Sequence, residues 1–338
     1  MKTPELKEKI LKLKAERNAV ILAHNYQREE VQEIADFVGD SLELSRRAAS
    51  NGADVIIFCG VHFMAETAAI LCPGKKVLLP DPSAGCFMAD MITQEKLREF
   101  KRKYPRAVVV CYVNSSASIK AASDICCTSA NAVRVVQSLN DRQILFIPDR
   151  YLGGYVHDVT GKDLFLWPGF CPTHMKINRE NITKLKVQHP EAHVVVHPEC
   201  RGEVRELADA VLSTGGICRY AKENSFETLI VGTEMGILYR LRKENPHKTF
   251  IPASMRAVCP NMKRITLEKV LRCLQALEPE ITVPEEIRSR AHRAVSRMLS
   301  VTGRRDVREE TASGATPKAA MSLDASAGAA RESGQKLL

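Results

Sequence analysis

Short runs of uninterrupted apolar residues alternate along this chain with longer stretches whose apolar positions recur every three or four residues. Residues 20–23, 37–39, 55–58 and 77–79 are runs of the first kind; residues 6–17, 29–35, 42–51 and 63–71 are of the second. Strands that are apolar on both faces and separated by helices predict a parallel sheet covered on both sides. Helical spacing returns over 94–103, 179–188, 267–276 and 284–299, whereas from Gly303 onward alanine, glycine, serine and charge follow no apolar period. That composition predicts a disordered tail.

The strand–helix pattern is written three times. Ala19-Val-Ile-Leu-Ala-His24-Asn-Tyr26 recurs as Ala107-Val-Val-Val-Cys-Tyr112-Val-Asn114 and as Ala192-His-Val-Val-Val-His197-Pro-Glu199. In the same register, Ala35-Asp36 recurs as Ser123-Asp124 and Ala208-Asp209. Several separated blocks held in register predict three copies of one unit, each too long for a solenoid repeat. The copies are bounded as residues 1–86, 87–171 and 172–259, followed by C-terminal helices over 260–302 and the tail over 303–338. The fold class is α/β: three three-layer α/β/α units with parallel sheets, related by a pseudo-threefold axis, with the active site at their central junction.

In parallel sheets, ligands bind beyond the carboxyl ends of the strands. The ends of the three equivalent first strands carry His24 and Tyr26, Tyr112 and Asn114, and His197 and Glu199. Any one of these could be the place where polar residues resume; six at matched positions favour function. Ser41, Ser129 and Thr214 stand where the next helix begins, as helix caps or as anion ligands, and Ser213-Thr214-Gly215-Gly216 suits a phosphate best. Each copy closes on a cysteine: Cys86, Cys171 and Cys259, at intervals of 85 and 88 residues. If the copies surround a common axis, three thiolates meet, suiting either a [4Fe–4S] cluster with one open iron or a zinc ion. His174 is three residues beyond Cys171. His62 and Glu234 follow strands as helix-start residues and are expected to be structural. Cys59, Cys72, Cys111, Cys126, Cys127, Cys218 and Cys273 are expected to be small core side chains; Cys200 adjoins Glu199 and fits either role.

Composition narrows the setting. Among 338 residues, 45% are apolar and 26% charged, as in ordinary globular chains. The net charge of +9 comes from bases interleaved with acids, and aromatics amount to 5%, so no nucleic-acid footprint is expected. Eleven cysteines without a signal peptide or a membrane-length apolar run indicate a reducing compartment, hence a cytoplasmic protein that does not engage membrane.

The motifs Ile21-Leu-Ala-His-Asn-Tyr-Gln27, Gly39-Asp-Ser-Leu42, Gly60-Val-His-Phe-Met-Ala-Glu66, Leu166-Trp-Pro-Gly-Phe-Cys171, His197-Pro-Glu199, Gly232-Thr-Glu-Met235 and Cys259-Pro-Asn-Met-Lys263 occur in this order. By them the chain resembles the quinolinate synthase family of NAD biosynthesis over roughly residues 5 to 300. The resemblance implies a [4Fe–4S] cluster on Cys86, Cys171 and Cys259. It implies condensation of iminoaspartate with dihydroxyacetone phosphate, and an aspartate-oxidising enzyme as the partner that supplies the imine. Tyr26, Tyr112, His197 and Glu199 become the catalytic candidates. His24, Ser41, Asn114, Ser129, His174, Ser213 and Thr214 become the substrate-binding ones. Some members carry a Cys-x-x-Cys-x-x-Cys run at the last ligand; here those positions are Cys259, Met262 and Ile265, which leaves no extra pair for redox switching. The alternatives are another cluster-dependent hydro-lyase and a non-catalytic small-anion binder.

Overall fold

The computed structural model describes residues 3–140, 143–301 and 336–337. Three sheets follow one another along the chain. The first unit runs α1 (Thr3–Glu16), β1 (Ala19–His24), α2 (Glu29–Ile34), β2 (Phe37–Gly39), α3 (Ser41–Ser50), β3 (Val55–Cys59), α4 (His62–Leu71) and β4 (Lys76–Leu78). The second repeats the order as α5 (Gln94–Lys103), β5 (Val108–Tyr112), α6 (Ala117–Ala121), β6 (Ile125–Cys127), α7 (Ala132–Gln137), β7 (Ile144–Ile147), α8 (Arg150–Thr160) and β8 (Leu164–Leu166). The third comprises α9 (Arg179–Gln188), β9 (His193–Val196), α10 (Gly202–Arg205), β10 (Ala210–Val211), α11 (Thr214–Glu223), β11 (Thr228–Gly232), α12 (Ile237–Glu244) and β12 (Thr249–Pro252). Then come α13 (Leu267–Ala276), α14 (Glu285–Val301) and β13 (Lys336–Leu337).

Every unit has the same sheet, all parallel, with its second strand outermost, then the first, third and fourth: β2-β1-β3-β4, β6-β5-β7-β8 and β10-β9-β11-β12. The repeated aspartates explain part of this identity. Asp36, Asp124 and Asp209 each accept, through Oδ2, the backbone N–H of Ile21, Val109 and Val194 at 2.8 Å. Each returns its own N–H to the carbonyl of that same residue. The outer strand is thereby pinned beside the central one before its ladder begins.

The third unit displays both faces of its sheet. Val194 and Val196 enter one core with Ile230, while Val195 enters another with Leu229 and Val231, as the two-residue period of a strand requires. The first two units share a single core, which the C-terminal helices join: α1 packs on α13, and α14 lies across α4, α6 and β6.

The helices expected over 94–103, 179–188 and 267–276 have those bounds, because Thr93, Asn178 and Thr266 cap them. The helix expected over 42–51 begins one residue earlier, since Asp40 is its cap and closes a capping box with Glu43. Of the tail expected to be disordered, only Lys336–Leu337 is described, and it forms a short strand parallel to β8; the remainder lies outside the described residues. No helix among the described residues is long and apolar enough to cross a membrane.

Candidate active site

The three cysteines are held in the same way. The carbonyl two residues before each accepts an N–H from at or just ahead of the start of the helix after the third strand. The pairs are His62 to Ala84 at 2.7 Å, Arg150 to Gly169 at 2.9 Å and Met235 to Ala257 at 2.9 Å. Beyond each cysteine the chain makes one 3₁₀ turn: Ala89–Met91, His174–Lys176 and Met262–Arg264. Asp90, Met175 and Lys263 close these turns on the carbonyls of Cys86, Cys171 and Cys259 at 3.2, 3.2 and 3.3 Å. Backbone N–H groups of the turns point at the thiols. Burial pushes all three thiols up, Cys86 to about 12, against those N–H groups. Cys86, Cys171 and Cys259 are partly exposed and the other eight cysteines are buried. Cys200 is among the eight, its thiol bonded to the Gly232 carbonyl at 3.4 Å.

The three line one cavity of about 190 Å³. Its wall includes the strand-end residues His24, Tyr26, Tyr112, Asn114, His197 and Glu199, together with His174. Glu199 is the hub. Tyr112 donates to its Oε1 at 2.5 Å, and His174 Nδ1 lies 2.8 Å from its Oε2. On its far side, His174 Nε2 meets Thr233 Oγ1 at 2.9 Å and Tyr26 Oη at 3.4 Å, and Tyr26 Oη lies 2.5 Å from Thr233 Oγ1. The His174 ring stacks on His197, with centroids 4.8 Å apart. Ligand atoms of Cys171, His174 and Glu199 lie within 4.8 Å of one another, so one of the three thiols adjoins this network directly.

Burial works against ionisation of Glu199, but the neighbouring His174 and His197 rings and the bond from Tyr112 overcome it and hold the carboxyl well below its usual range. Burial, then the Glu199 charge, keeps Tyr26 and Tyr112 protonated far above the usual phenol range. His24 and His197 are pushed down to about 3, chiefly by burial. The backbone fixes their tautomer: Nδ1 of each accepts the N–H two residues on, Tyr26 at 3.1 Å and Glu199 at 3.3 Å. The ring proton therefore resides on Nε2, and both are neutral donors. Among the described residues Asn114 Oδ1 is buried without a partner, an acceptor free for a ligand.

Ser41 and Thr214 line the cavity as first residues of α3 and α11, and Ser129 lines it in the turn ahead of α7. None is the cap: Asp40 and Ser213 cap α3 and α11, and α7 has no side-chain cap. Ser213 is outside the cavity wall, since its hydroxyl accepts from Gly216 N–H and donates to Asp40 Oδ2 at 3.1 Å. Thr214 instead accepts from Asn25 at 2.9 Å. His174, expected as an anion ligand, lines the cavity; its Nε2 meets Thr233 and Tyr26, while its Nδ1 lies 2.8 Å from Glu199 Oε2 outside hydrogen-bond geometry. His62 pairs with Glu66 at 3.8 Å, and Glu234 bonds the Cys259 backbone N–H at 3.0 Å.

Sequence reasoning missed Thr233 and Asp149. Asp149 is wholly buried: Oδ1 caps α8 through Tyr151 and Leu152, Oδ2 has no partner among the described residues, and burial followed by the Glu199 charge raises its carboxyl well above the usual range. Asp149 follows its third strand at the position equivalent to Glu234, so the threefold register held its signal; Thr233 has Gly60 and Pro148 at its equivalent positions and is not marked by the repeat.

A model of the family described as quinolinate synthetase A protein matches residues 8–300. The quinolinate synthase of Dehalococcoides mccartyi strain 195 is 61% identical over 302 residues, 89% of this chain and 100% of that protein. That of Thermodesulfovibrio yellowstonii is 57% identical over 295 residues, 87% of this chain and 97% of its own length. The quinolinate synthase 2 of Methanosarcina acetivorans is 56% identical over 296 residues, 88% of this chain and 96% of that protein.

Proposed function

The chain belongs to the quinolinate synthase family, and from that premise we propose that it condenses iminoaspartate with dihydroxyacetone phosphate, giving quinolinate, phosphate and two waters. Its cofactor in this reading is a [4Fe–4S] cluster on Cys86, Cys171 and Cys259. The donor set supports it: three partly exposed thiols in equivalent turns line one cavity. Backbone N–H groups directed at the sulfurs favour the thiolate that ligation requires. When bound, such a cluster supplies an iron with a free position, a Lewis acid for substrate oxygens.

The protein side chains divide the remaining work. Condensation, ring closure and two dehydrations each need a proton removed at one atom and delivered at another. Glu199 is the ionised group of the network, accepting from a phenol on one side with an imidazole nitrogen 2.8 Å away on the other, so it can accept from one and be resupplied by the other. Tyr112 faces the reacting atoms from the second unit and Tyr26 from the first. Neutral His24 and His197 orient oxygens through Nε2–H without adding charge. Asn114 offers its free Oδ1 to a hydroxyl or imine N–H. Ser41 and Thr214, at helix starts, and Ser129, in the turn ahead of α7, hold carboxylates and phosphate in this reading. The unstable imine is supplied by an enzyme that oxidises aspartate.

The single observation that carries the reading is Glu199 bridging Tyr112 and His174 beside Cys171. Glu199→Gln should keep the visible absorbance of the cluster under anaerobic conditions while quinolinate formation falls by about 10²–10⁴. Cys171→Ser should lose iron. Full turnover in Glu199→Gln removes the glutamate from the mechanism, and an iron-free wild type after reconstitution removes the cluster.

A further inference from the structure

Glu234 is wholly buried and its carboxylate is fully engaged. Oε1 accepts the Cys259 N–H at 3.0 Å and lies 3.0 Å from Lys263 Nζ. Oε2 accepts the Gly236 N–H at 2.6 Å and a second contact from Lys263 Nζ at 3.2 Å. The same ammonium donates to the Tyr26 carbonyl, and Arg28 Nε in turn donates to the Lys263 carbonyl at 2.8 Å. Gly236 makes this approach feasible: a Cβ there would stand 2.7 Å from the Tyr26 carbonyl carbon and oxygen and 2.7 Å from Lys263 Nζ.

One ion pair thus joins the backbone of Tyr26, in the first unit, to the backbone of Cys259, at the end of the third. The other units lack the device. The residues equivalent to Glu234, each preceding the N–H that holds a cysteine loop, are Val61 and Asp149. Val61 has no polar group, and Asp149 spends Oδ1 on the start of α8. Among the described residues, Cys259 is the one cysteine of the three whose own N–H is bonded by a side chain.

We infer that Glu234 and Lys263 are positioning residues that couple Cys259 to Tyr26, so that displacement at either end is transmitted to the other. The physical reason is the cost of an unpaired buried charge: the carboxylate cannot lose Lys263 without seeking new donors, and its N–H partners move with it. The consequence for catalysis rests on the cluster reading above; the coupling itself rests only on the geometry.

The test is hydrogen–deuterium exchange on the full-length, cluster-loaded protein, comparing wild type with Lys263→Met and Glu234→Gln. Each variant should speed exchange about tenfold or more over both residues 25–28 and residues 257–263, as expected for losing a charged hydrogen bond, and leave residues 84–88 around Cys86 unchanged. The cluster midpoint potential should rise in Glu234→Gln, which removes a nearby anion, and fall in Lys263→Met, which removes a cation. Exchange that is unchanged or confined to 257–263 overturns the coupling, and potentials that stay put or move in the same direction overturn its consequence for the cluster. Lys263 is partly exposed, so its variant carries the test if Glu234→Gln does not fold. A wild type without iron defeats the cluster reading while the exchange measurement still decides the coupling.

Discussion

His24 and His197 are neutral imidazoles inside the folded protein, and acid should therefore unfold it early. Free histidine titrates near 6.5, whereas these two stay unprotonated down to about 3. Below 6.5 the unfolded chain binds protons that the native chain refuses, so stability falls with falling pH, by about 1.4 kcal/mol per unit per histidine. Glu199, depressed from 4.5, adds a loss of the same sign once the pH drops below its unfolded value. Denaturant midpoints at pH 7.5, 6.0 and 5.0 should decline below 6.5 and be flat above it, and His197→Gln should reduce the slope by about one proton. The meeting of these residues at one cavity was legible in the sequence because three strand ends repeat one pattern. Thr233 was not: it acts through Tyr26, 207 residues away in the chain, and nothing local marks that contact.

At the scale of elements, caps explain what could be read. Thr93, Asn178 and Thr266 announce helices whose ends follow as expected, whereas α3 starts one residue early because the aspartate before Ser41 outcompetes the hydroxyl as cap. The cysteine loops were only half legible. Their spacing was visible, but the N–H bonds that align them join helix starts to carbonyls about twenty residues on. Gly169 exposes how tight that alignment is. Its carbonyl receives the Arg150 N–H, and a Cβ on it would lie 2.3 Å from the Pro148 carbonyl oxygen. Backbone cannot rotate away as a side chain can, so Gly169→Ala should destabilise the protein by about 1–3 kcal/mol and shift Cys171. Lower thermal stability with reduced iron uptake is the expected pair of results; a variant with native stability would mean the loop relaxes freely.

For the molecule as a whole, the repeat was the most legible feature and the unequal joining of its copies the least. Three sheets with one strand order follow from three similar sequences, each pinned by its aspartate. Yet the first two units fuse into one core while the third keeps two of its own, a division set by how α1, α13 and α14 fold back, which no local pattern encodes. The third unit consequently meets the others largely through polar contacts. Tyr112 reaches Glu199, Tyr26 reaches His174 and Thr233, and Asn25 reaches Thr214. A cluster on one cysteine from each unit would cross-link what the apolar cores do not. Because it binds the folded arrangement and not the separated units, it should raise the unfolding temperature by about 2–4 °C for each kcal/mol of binding free energy expressed as stability. Anaerobic scanning calorimetry of cluster-loaded and chelated protein should therefore give a lower transition after iron removal, first in the third unit. Cys259→Ser should behave as chelated wild type whether or not iron is supplied. Identical transitions in loaded and stripped protein would mean that polar contacts alone hold the third unit in place.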